Sequence, residues 1–265
     1  MFLNVKEHTF HTGDASVDYV TFGSGNKNLI IIPGLSFNRV KGNGLMLAYM
    51  YRIFAKEYKV YIIDKRNDVP EAFTVLDHAD DIYRLMQALS ITDAHIFGVS
   101  LGGMIAMTLA ADHPEVVIKL VVAVSAARVN DTIKECISSW IKMAEDNDHR
   151  SLAEDMVYKM YSEGYIRKYR LFIPLMAKMI KKTDLRRFSR IAASCLTVGV
   201  YDRLGDINCP VMVIGGMQDK ITTAAGSVEI AEKIRCKIHM YEDYGHAAYE
   251  EAKDFNKRVY EFLTE

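Results

Sequence analysis

Cysteine is scarce in this chain of 265 residues, and its four copies lie far apart. No two of them form a CxxC pair, and no cluster has the spacing of metal ligands. The sequence therefore predicts neither a bound metal nor a disulfide framework, but reduced and mostly buried thiols in a cytoplasmic protein. The four residues are Cys136, Cys195, Cys209 and Cys236.

Long apolar runs and an excess of one charge are also lacking. The longest apolar runs, such as residues 29–32 and 120–124, have the length of buried strands and not of membrane-spanning helices. Residues 1–11 carry charges and histidines but no apolar core of a secretory signal. A formal net charge of -1 gives no general attraction to nucleic acid or to anionic membranes. We therefore expect a soluble protein with no nucleic-acid partner and no stable membrane insertion.

The pattern that is present alternates short apolar strands with amphipathic helices. Half of the residues are apolar, and the chain is long enough to bury one large core. This alternation predicts an α/β fold with a mostly parallel sheet and helices on both of its faces. Strands are predicted at residues 17–22, 29–32, 59–64, 94–99, 119–124, 211–214 and 237–241, and helices at 45–57, 75–89, 101–112, 226–235 and 249–263.

The alternation stops in the middle of the chain. We predict a core of residues 1–126 and 205–265, interrupted by a helical insertion of residues 127–204 that is too long for a plain loop. The helices of the insertion are predicted near residues 131–145, 151–162, 169–181 and 184–197. A solvated helix face is predicted for its basic residues, with attraction of an acidic substrate or a lipid surface as the alternative. These residues are Lys178, Lys181, Lys182, Arg186, Arg187 and Arg190.

One motif indicates chemistry. Residues 98–102 read Gly-Val-Ser-Leu-Gly and match GxSxG between a predicted buried strand and a predicted helix. A serine at such a tight turn is held in strained backbone that projects its hydroxyl, and the flanking glycines leave room for strand and helix to pass closely. We predict Ser100 as a nucleophile, with the N–H of Leu101 at the helix N-terminus stabilising an oxyanion. The alternative is a glycine-rich turn with an ordinary serine.

A serine nucleophile needs a base, and that base needs an orienting acid. Among the eight histidines, His246 lies in a loop that follows a predicted strand and precedes the last helix. Asp219 follows the predicted strand 211–214. Carboxyl ends of parallel strands meet at one edge of a sheet, so both residues are expected near Ser100. Asp243, three residues before the histidine, is the reserve candidate for the acid.

The second oxyanion donor is expected in the loop after strand 29–32. This loop reads Pro33-Gly34-Leu35-Ser36. We predict the N–H of Leu35 as the donor, because Gly34 permits a sharp approach of the backbone to the site.

Taken together, these residues resemble the α/β-hydrolase superfamily, in particular its esterase, lactonase and C–C-bond hydrolase group. The resemblance implies an eight-stranded type of sheet and a helical cap at residues 127–204. It also implies Ser100 as nucleophile, His246 as base and Asp219 as acid, with the N–H groups of Leu35 and Leu101 as the oxyanion hole and no cofactor. It is carried by residues 33–36, 64–66, 80–103, 112–115, 209–219 and 244–246.

The chain departs from that family pattern in two loops. Members usually have His-Gly where this chain has Pro33-Gly34. Members also usually have Asp-x-Arg-Gly-His-Gly where residues 64–69 read Asp-Lys-Arg-Asn-Asp-Val. The nucleophile is a serine and not an aspartate, so haloalkane dehalogenase and epoxide hydrolase chemistry is not expected.

The predicted reaction is hydrolysis of a small or medium carboxylic ester or lactone through an acyl-enzyme. The alternatives are C–C-bond or thioester hydrolysis on the same residues, or a ligand-sensing protein with little turnover. The partner is a small ester or acyl molecule, and both a monomer and a homodimer stay open. Aromatic residues of the insertion either line the pocket or, more often for such stripes, hold the insertion to the core; they are Trp140, Tyr158, Tyr161, Tyr165, Tyr169 and Phe172.

Overall fold

An eight-stranded sheet lies at the centre of the molecule, whose computed structural model describes residues 3–13, 15–173 and 184–265. The strands are β1 (Lys6–Thr12), β2 (Ala15–Phe22), β3 (Lys27–Ile32), β4 (Tyr58–Arg66), β5 (Ala94–Val99), β6 (Val117–Ala123), β7 (Val211–Gly216) and β8 (Lys237–Tyr241). Their order across the sheet is β1-β2-β4-β3-β5-β6-β7-β8. Strands β3 to β8 pair in the parallel sense, and β2 pairs in the antiparallel sense with both β1 and β4. The predicted α/β fold is confirmed.

Helices cover both faces of this sheet, which is why its central strands are apolar on both sides. Every residue of β5 and of β7 is buried. One face packs against the helices at residues 75–88, 101–112 and 224–234, and the other against those at residues 44–50 and 255–264. The helices of the described residues are α1 (Gly44–Met50), α2 (Val75–Ala88), α3 (Leu101–Asp112), α4 (Asp131–Glu145), α5 (His149–Met160), α6 (Glu163–Tyr169), α7 (Leu185–Cys195), α8 (Ala224–Ile234), α9 (Ala248–Glu251) and α10 (Phe255–Thr264).

Three expectations about the core are corrected. Strand β1 lies where no strand was predicted, since it is an edge strand whose residues are all at least partly exposed and show no apolar run. The predicted helix 45–57 ends at Met50, and a short 3₁₀ turn follows at Arg52–Phe54. The predicted last helix is two helices, because Ala252 adopts extended backbone between α9 and α10.

Helices α4 to α7 lie between β6 and β7 in the chain. Each begins at a residue whose side chain accepts a hydrogen bond from a backbone N–H in the first turn, as helix caps do. These residues are Asn130, Asp148, Ser162 and Asp184. The two ends of this helical segment lie next to each other, since the N–H of Val200 donates to the carbonyl of Ala127 at 3.0 Å.

Two expectations for this segment are wrong or lie outside the described residues. The predicted helix 169–181 falls mostly on residues 174–183, which lie outside the described residues. Lys178, Lys181 and Lys182 also lie there. Helix α6 was not predicted. Arg187 is not solvated: it is 8% exposed, and its guanidinium lies 3.2 Å from Asp64. None of the described helices combines the length and the apolarity that crossing a bilayer requires.

Candidate active site

Ser100 stands at the turn between β5 and α3, in backbone that non-glycine residues rarely adopt. Its φ is +55° and its ψ is -119°. The strain is held by hydrogen bonds on both sides of the residue: its N–H donates to Ala123 O at 2.8 Å, and the Ser125 hydroxyl donates to its carbonyl at 2.8 Å. The side chain is thereby directed away from both β5 and α3, at the carboxyl edge of the sheet.

The glycines of the motif are required by close packing. A Cβ atom at Gly98 would lie 2.3 Å from the carbonyl oxygen of Gly102. A Cβ atom at Gly102 would lie 1.8 Å from the carbonyl oxygen of Ile32. Both neighbours are backbone atoms, so no rotamer change could relieve these contacts. The motif therefore specifies the approach of α3 to the sheet as well as the position of the serine.

His246 reaches Ser100 from the loop after β8. Its Nε2 lies 2.9 Å from Ser100 Oγ, and its Nδ1 lies 2.8 Å from Asp219 Oδ2. An ionised carboxylate only accepts hydrogen bonds, so Nδ1 carries the proton and Nε2 is free to accept the serine proton. The structure thus brings together the three side chains that were selected from the sequence. The hydrogen bond of the imidazole goes to Asp219 and not to the reserve candidate Asp243.

Asp219 is held as a carboxylate in a buried place, since the residue is 7% exposed. Burial opposes its ionisation, but the imidazole of His246 and hydrogen bonds from Ile221 and Thr222 outweigh burial and lower the pKa of Asp219. The N–H groups of Ile221 and Thr222 donate to Oδ1 at 2.8 and 3.0 Å. The Thr222 hydroxyl lies 2.8 Å from Oδ2 and 3.0 Å from Val124 O. A carboxylate so fixed can orient an imidazole and balance its positive charge.

Two backbone N–H groups beside the serine have no acceptor among the described residues. No described residue accepts a hydrogen bond from the N–H of Leu101 at the start of α3 or from the N–H of Leu35 after β3. Gly34 brings the second loop close, since a Cβ atom built on it would lie 3.1 Å from Ser100 Cβ. Unpaired N–H groups next to a nucleophile are the donors that an oxyanion needs.

The opposite wall of the cleft is apolar and comes from the helical segment between β6 and β7. Together with Met104 and Ile221 of the core, this wall surrounds Ser100 and His246. Among the described residues, the lining contains no Asp, Glu, Lys or Arg. Its members from α4, α5 and α7 are Ile133, Ile137, Trp140, Met156, Met160 and Cys195.

Of the aromatic residues considered from the sequence, Trp140 is the one that the described lining includes. Its indole N–H donates to Asp155 at 2.6 Å, which ties α4 to α5. Tyr161 and Tyr165 stack on one another with ring centroids 4.1 Å apart, and neither belongs to the described lining. Of the other three aromatic side chains, Tyr158 and Phe172 are 42% and 58% exposed, and the ring of Tyr169 lies 4.5 Å from that of Tyr165.

Sequence reasoning missed the residues that support the three side chains. Ser125 and Thr222 follow β6 and Asp219 closely, and a polar residue just past a parallel strand is the signal that could have found Ser125. Nothing in the sequence singles out Thr222. Lys65 was noted only as part of a loop that departs from the family pattern, yet its ammonium contacts the loop that carries Leu35.

The comparisons with known proteins agree with this architecture. The family model described as alpha/beta hydrolase fold matches residues 29–253. The chain is 23% identical over 232 residues to 3-oxoadipate enol-lactonase 2 of Acinetobacter baylyi, with 85% of this chain and 84% of that protein covered. It is 26% identical over 269 residues to a putative carbamate hydrolase, RutD, of a Caulobacter species, with 97% and 95% covered.

The fold is also that of solved structures. The enol-lactonase of Burkholderia xenovorans superposes with a TM-score of 0.84 at 20% identity, over 97% of this chain and all of that one.

Proposed function

The chain is a hydrolase of the α/β-hydrolase fold family, and we propose that it cleaves a carboxylic ester or a lactone through a covalent acyl-enzyme. Ser100 is the nucleophile of this proposal, His246 the general base and Asp219 the orienting acid. The observation that carries it is the unbroken pair of hydrogen bonds from Ser100 Oγ to His246 Nε2 and from Nδ1 to Asp219.

In the first half-reaction, Ser100 Oγ bonds to the carbonyl carbon while His246 Nε2 takes the hydroxyl proton. The carbonyl oxygen becomes an oxyanion facing the N–H groups of Leu35 and Leu101. When this intermediate collapses, the bond to the leaving oxygen breaks and His246 returns the proton to that oxygen. The alcohol leaves, and the acyl group stays on Ser100.

In the second half-reaction, water takes the place of the alcohol. His246 accepts a proton from the water as its oxygen bonds to the acyl carbon, and then returns that proton to Ser100 Oγ as the acid departs. Asp219 stays ionised throughout and balances the charge of the imidazolium. For a lactone, the leaving oxygen remains attached to the acyl group, and the product is a hydroxy acid.

We further propose that residues 127–204 form a cap that selects the substrate. The apolar lining from α4, α5 and α7 supports an acyl group that is neutral and apolar, since a buried charge without a partner would be costly. The hydrogen bond between Ala127 and Val200 supports these bounds, because it closes the segment on itself. The enol-lactonase relative supports lactones beside open-chain esters in the set to be tested.

The test is covalent labelling by a fluorophosphonate, with a panel of esters and lactones assayed beside it. Wild-type protein is expected to be labelled and to hydrolyse members of the panel, whereas Ser100→Ala is expected to do neither. Ser90→Ala is a matched control, because Ser90 also has a positive φ, +54°, but is exposed on the surface. Labelling that persists in Ser100→Ala, or a wild type that is not labelled, would contradict the proposal.

The panel also separates the chemistries. A thioester and a vinylogous diketone belong in it, because the same residues could cleave either bond. If the protein turned over the diketone alone, the proposed reaction would be C–C-bond hydrolysis and not ester hydrolysis. Labelling without turnover of any member would favour a ligand-sensing protein.

A further inference from the structure

Lys65 is a buried cation directly behind the loop that carries Leu35. The residue is 5% exposed and lies near the carboxyl end of β4. Its ammonium donates to the carbonyl oxygen of Gly34 at 2.7 Å and to that of Pro33. The Lys65 ammonium thus donates to two consecutive backbone carbonyls, and it forms no ion pair with a carboxylate of the described residues.

The carbonyl of Gly34 belongs to the same peptide unit as the N–H of Leu35. The peptide between Gly34 and Leu35 is trans, as all described peptide bonds are, so its C=O and N–H point in opposite directions. Fixing the carbonyl on the Lys65 side therefore fixes the N–H on the Ser100 side. Gly34 has no Cβ that would restrain this peptide unit by packing, so the hydrogen bond from Lys65 adds a restraint on its orientation.

We propose that Lys65 is a positioning residue that orients the Leu35 N–H toward the oxyanion by holding the carbonyl of the same peptide unit. This inference rests on the proposed acyl-transfer function. It also joins the two departures from the family pattern, since the loop with Pro33 and the loop with Lys65 are in direct contact. Where members usually have a histidine, this chain has Pro33, whose carbonyl accepts a hydrogen bond from Lys65.

The charge on Lys65 depends on pH in a useful range. Burial lowers its pKa to about 8, although Asp64 opposes that shift. The other charged or titratable groups around it are Arg66 on β4, His78 and Asp81 on α2, and Arg187 and Cys195 on α7. Of these, Arg187 adds to the lowering of the Lys65 pKa, and Asp64 and Cys195 act against it.

Stability and activity should respond to this titration in opposite directions. Above pH 8 the folded protein releases the Lys65 proton while the unfolded chain keeps it until its higher, ordinary pKa. The unfolded state then binds more protons, so the contribution of Lys65 to stability rises with pH in that window. The hold on the Gly34 carbonyl weakens in the same window, so kcat should fall. A residue with only a structural role would not lower kcat while it raises stability.

The experiment compares Lys65→Met with Lys119→Met, using an ester that wild-type protein hydrolyses. Lys119 is the matched control, because its ammonium also donates to a backbone carbonyl, that of Phe262, at 2.9 Å, on the far side of the sheet from the loop. For Lys65→Met at pH 7 we expect kcat to fall by about 10- to 100-fold with KM within about twofold of wild type, as for a weakened oxyanion donor. Lys119→Met should keep wild-type kcat within about twofold.

The pH profile gives the second readout. Wild-type kcat should decline above pH 8, and this decline should be missing from Lys65→Met. An NMR titration of ¹³Cε-labelled lysine should place the Lys65 midpoint at the same pH as the kinetic decline. If Lys65→Met does not fold, as circular dichroism would reveal, the coincidence of these two wild-type midpoints still decides the matter.

Several results would overturn the inference. These are an unchanged kcat in folded Lys65→Met, equal losses in the two methionine variants, an alkaline decline that survives in Lys65→Met, or midpoints that do not coincide. Failure of the proposed function looks different, because wild-type protein would then neither be labelled by a fluorophosphonate nor hydrolyse any ester.

Discussion

The sheet side and the helical side of the cleft are built from different interactions. The sheet side presents Ser100, Asp219 and His246 together with backbone N–H groups, each held by hydrogen bonds to neighbouring loops. The helical side presents aliphatic, Met and Trp side chains such as Trp140 and Met156. Hydrogen bonds demand fixed directions, whereas apolar contacts tolerate side chains of similar volume. We therefore expect changes on the sheet side to alter rate and changes on the helical side to alter selectivity.

The largest effect is expected for Asp219→Asn. The amide keeps the shape of the side chain but can no longer fix the tautomer of His246, so kcat should fall by about 10³- to 10⁴-fold. Steady-state kinetics with the best ester of the panel would measure it. Asp243→Asn is the matched control, since Asp243 lies on the same loop as the histidine and is exposed. A large loss in Asp243→Asn and none in Asp219→Asn would reverse the assignment of the acid.

The next effect contrasts a glycine from each side. A Cβ at Gly102 meets Ile32 O at 1.8 Å, whereas a Cβ at Gly164 in α6 finds only Ser162 Oγ at 3.8 Å. Gly102→Ala should lower the free energy of unfolding by about 3–5 kcal/mol, because strand and helix must separate. Gly164→Ala should change it by less than about 1 kcal/mol, toward higher stability, because alanine favours the helix.

Chemical denaturation measures the free energy of unfolding of both glycine variants and of the wild type. Equal effects in the two would show that the sheet side is no more tightly constrained than the helical side, and the comparison would fail.

The smallest effect is expected for Met156→Ala on the helical side. Truncating this side chain enlarges the space beside the apolar wall. The kcat/KM for an ester with a longer acyl chain should therefore rise by about tenfold relative to that for an acetate ester, as a few methylene groups allow. Hydrolysis rates over a series of p-nitrophenyl esters would measure the shift. Met143→Ala is the control, because Met143 packs against the core from α4 without lining the cleft.

The two sides also differ in how far the sequence predicts them. The bounds of β5 and α3 were predicted to the residue, because a buried apolar run, GxSxG and a proline after the helix leave few alternatives. Asp219 and His246 were found by their places after parallel strands. These predictions need only the local sequence and the rule that the carboxyl ends of parallel strands meet at one edge of the sheet. Both hold for the sheet side of the cleft.

The rest could not be read from the sequence because it depends on contacts between distant segments. Arg187 lies in a basic stretch that looks solvated, but Asp64, 123 positions earlier, provides a buried partner. Lys65 has no local pattern that would reveal its contact with Gly34. Periodicity states which residues of a helix share a face, but it does not state which charged residue finds a partner across the molecule.

The hydrogen bond between Val200 and Ala127 has a consequence for how such proteins diversify. A segment that begins and ends at neighbouring backbone positions places no demand on the distance that its host must span. Another segment of different length and composition could be spliced between the same two residues while the strands around it keep their register. Exchange of selectivity between homologues by transplanting residues 128–199 is thus a natural design strategy for this scaffold.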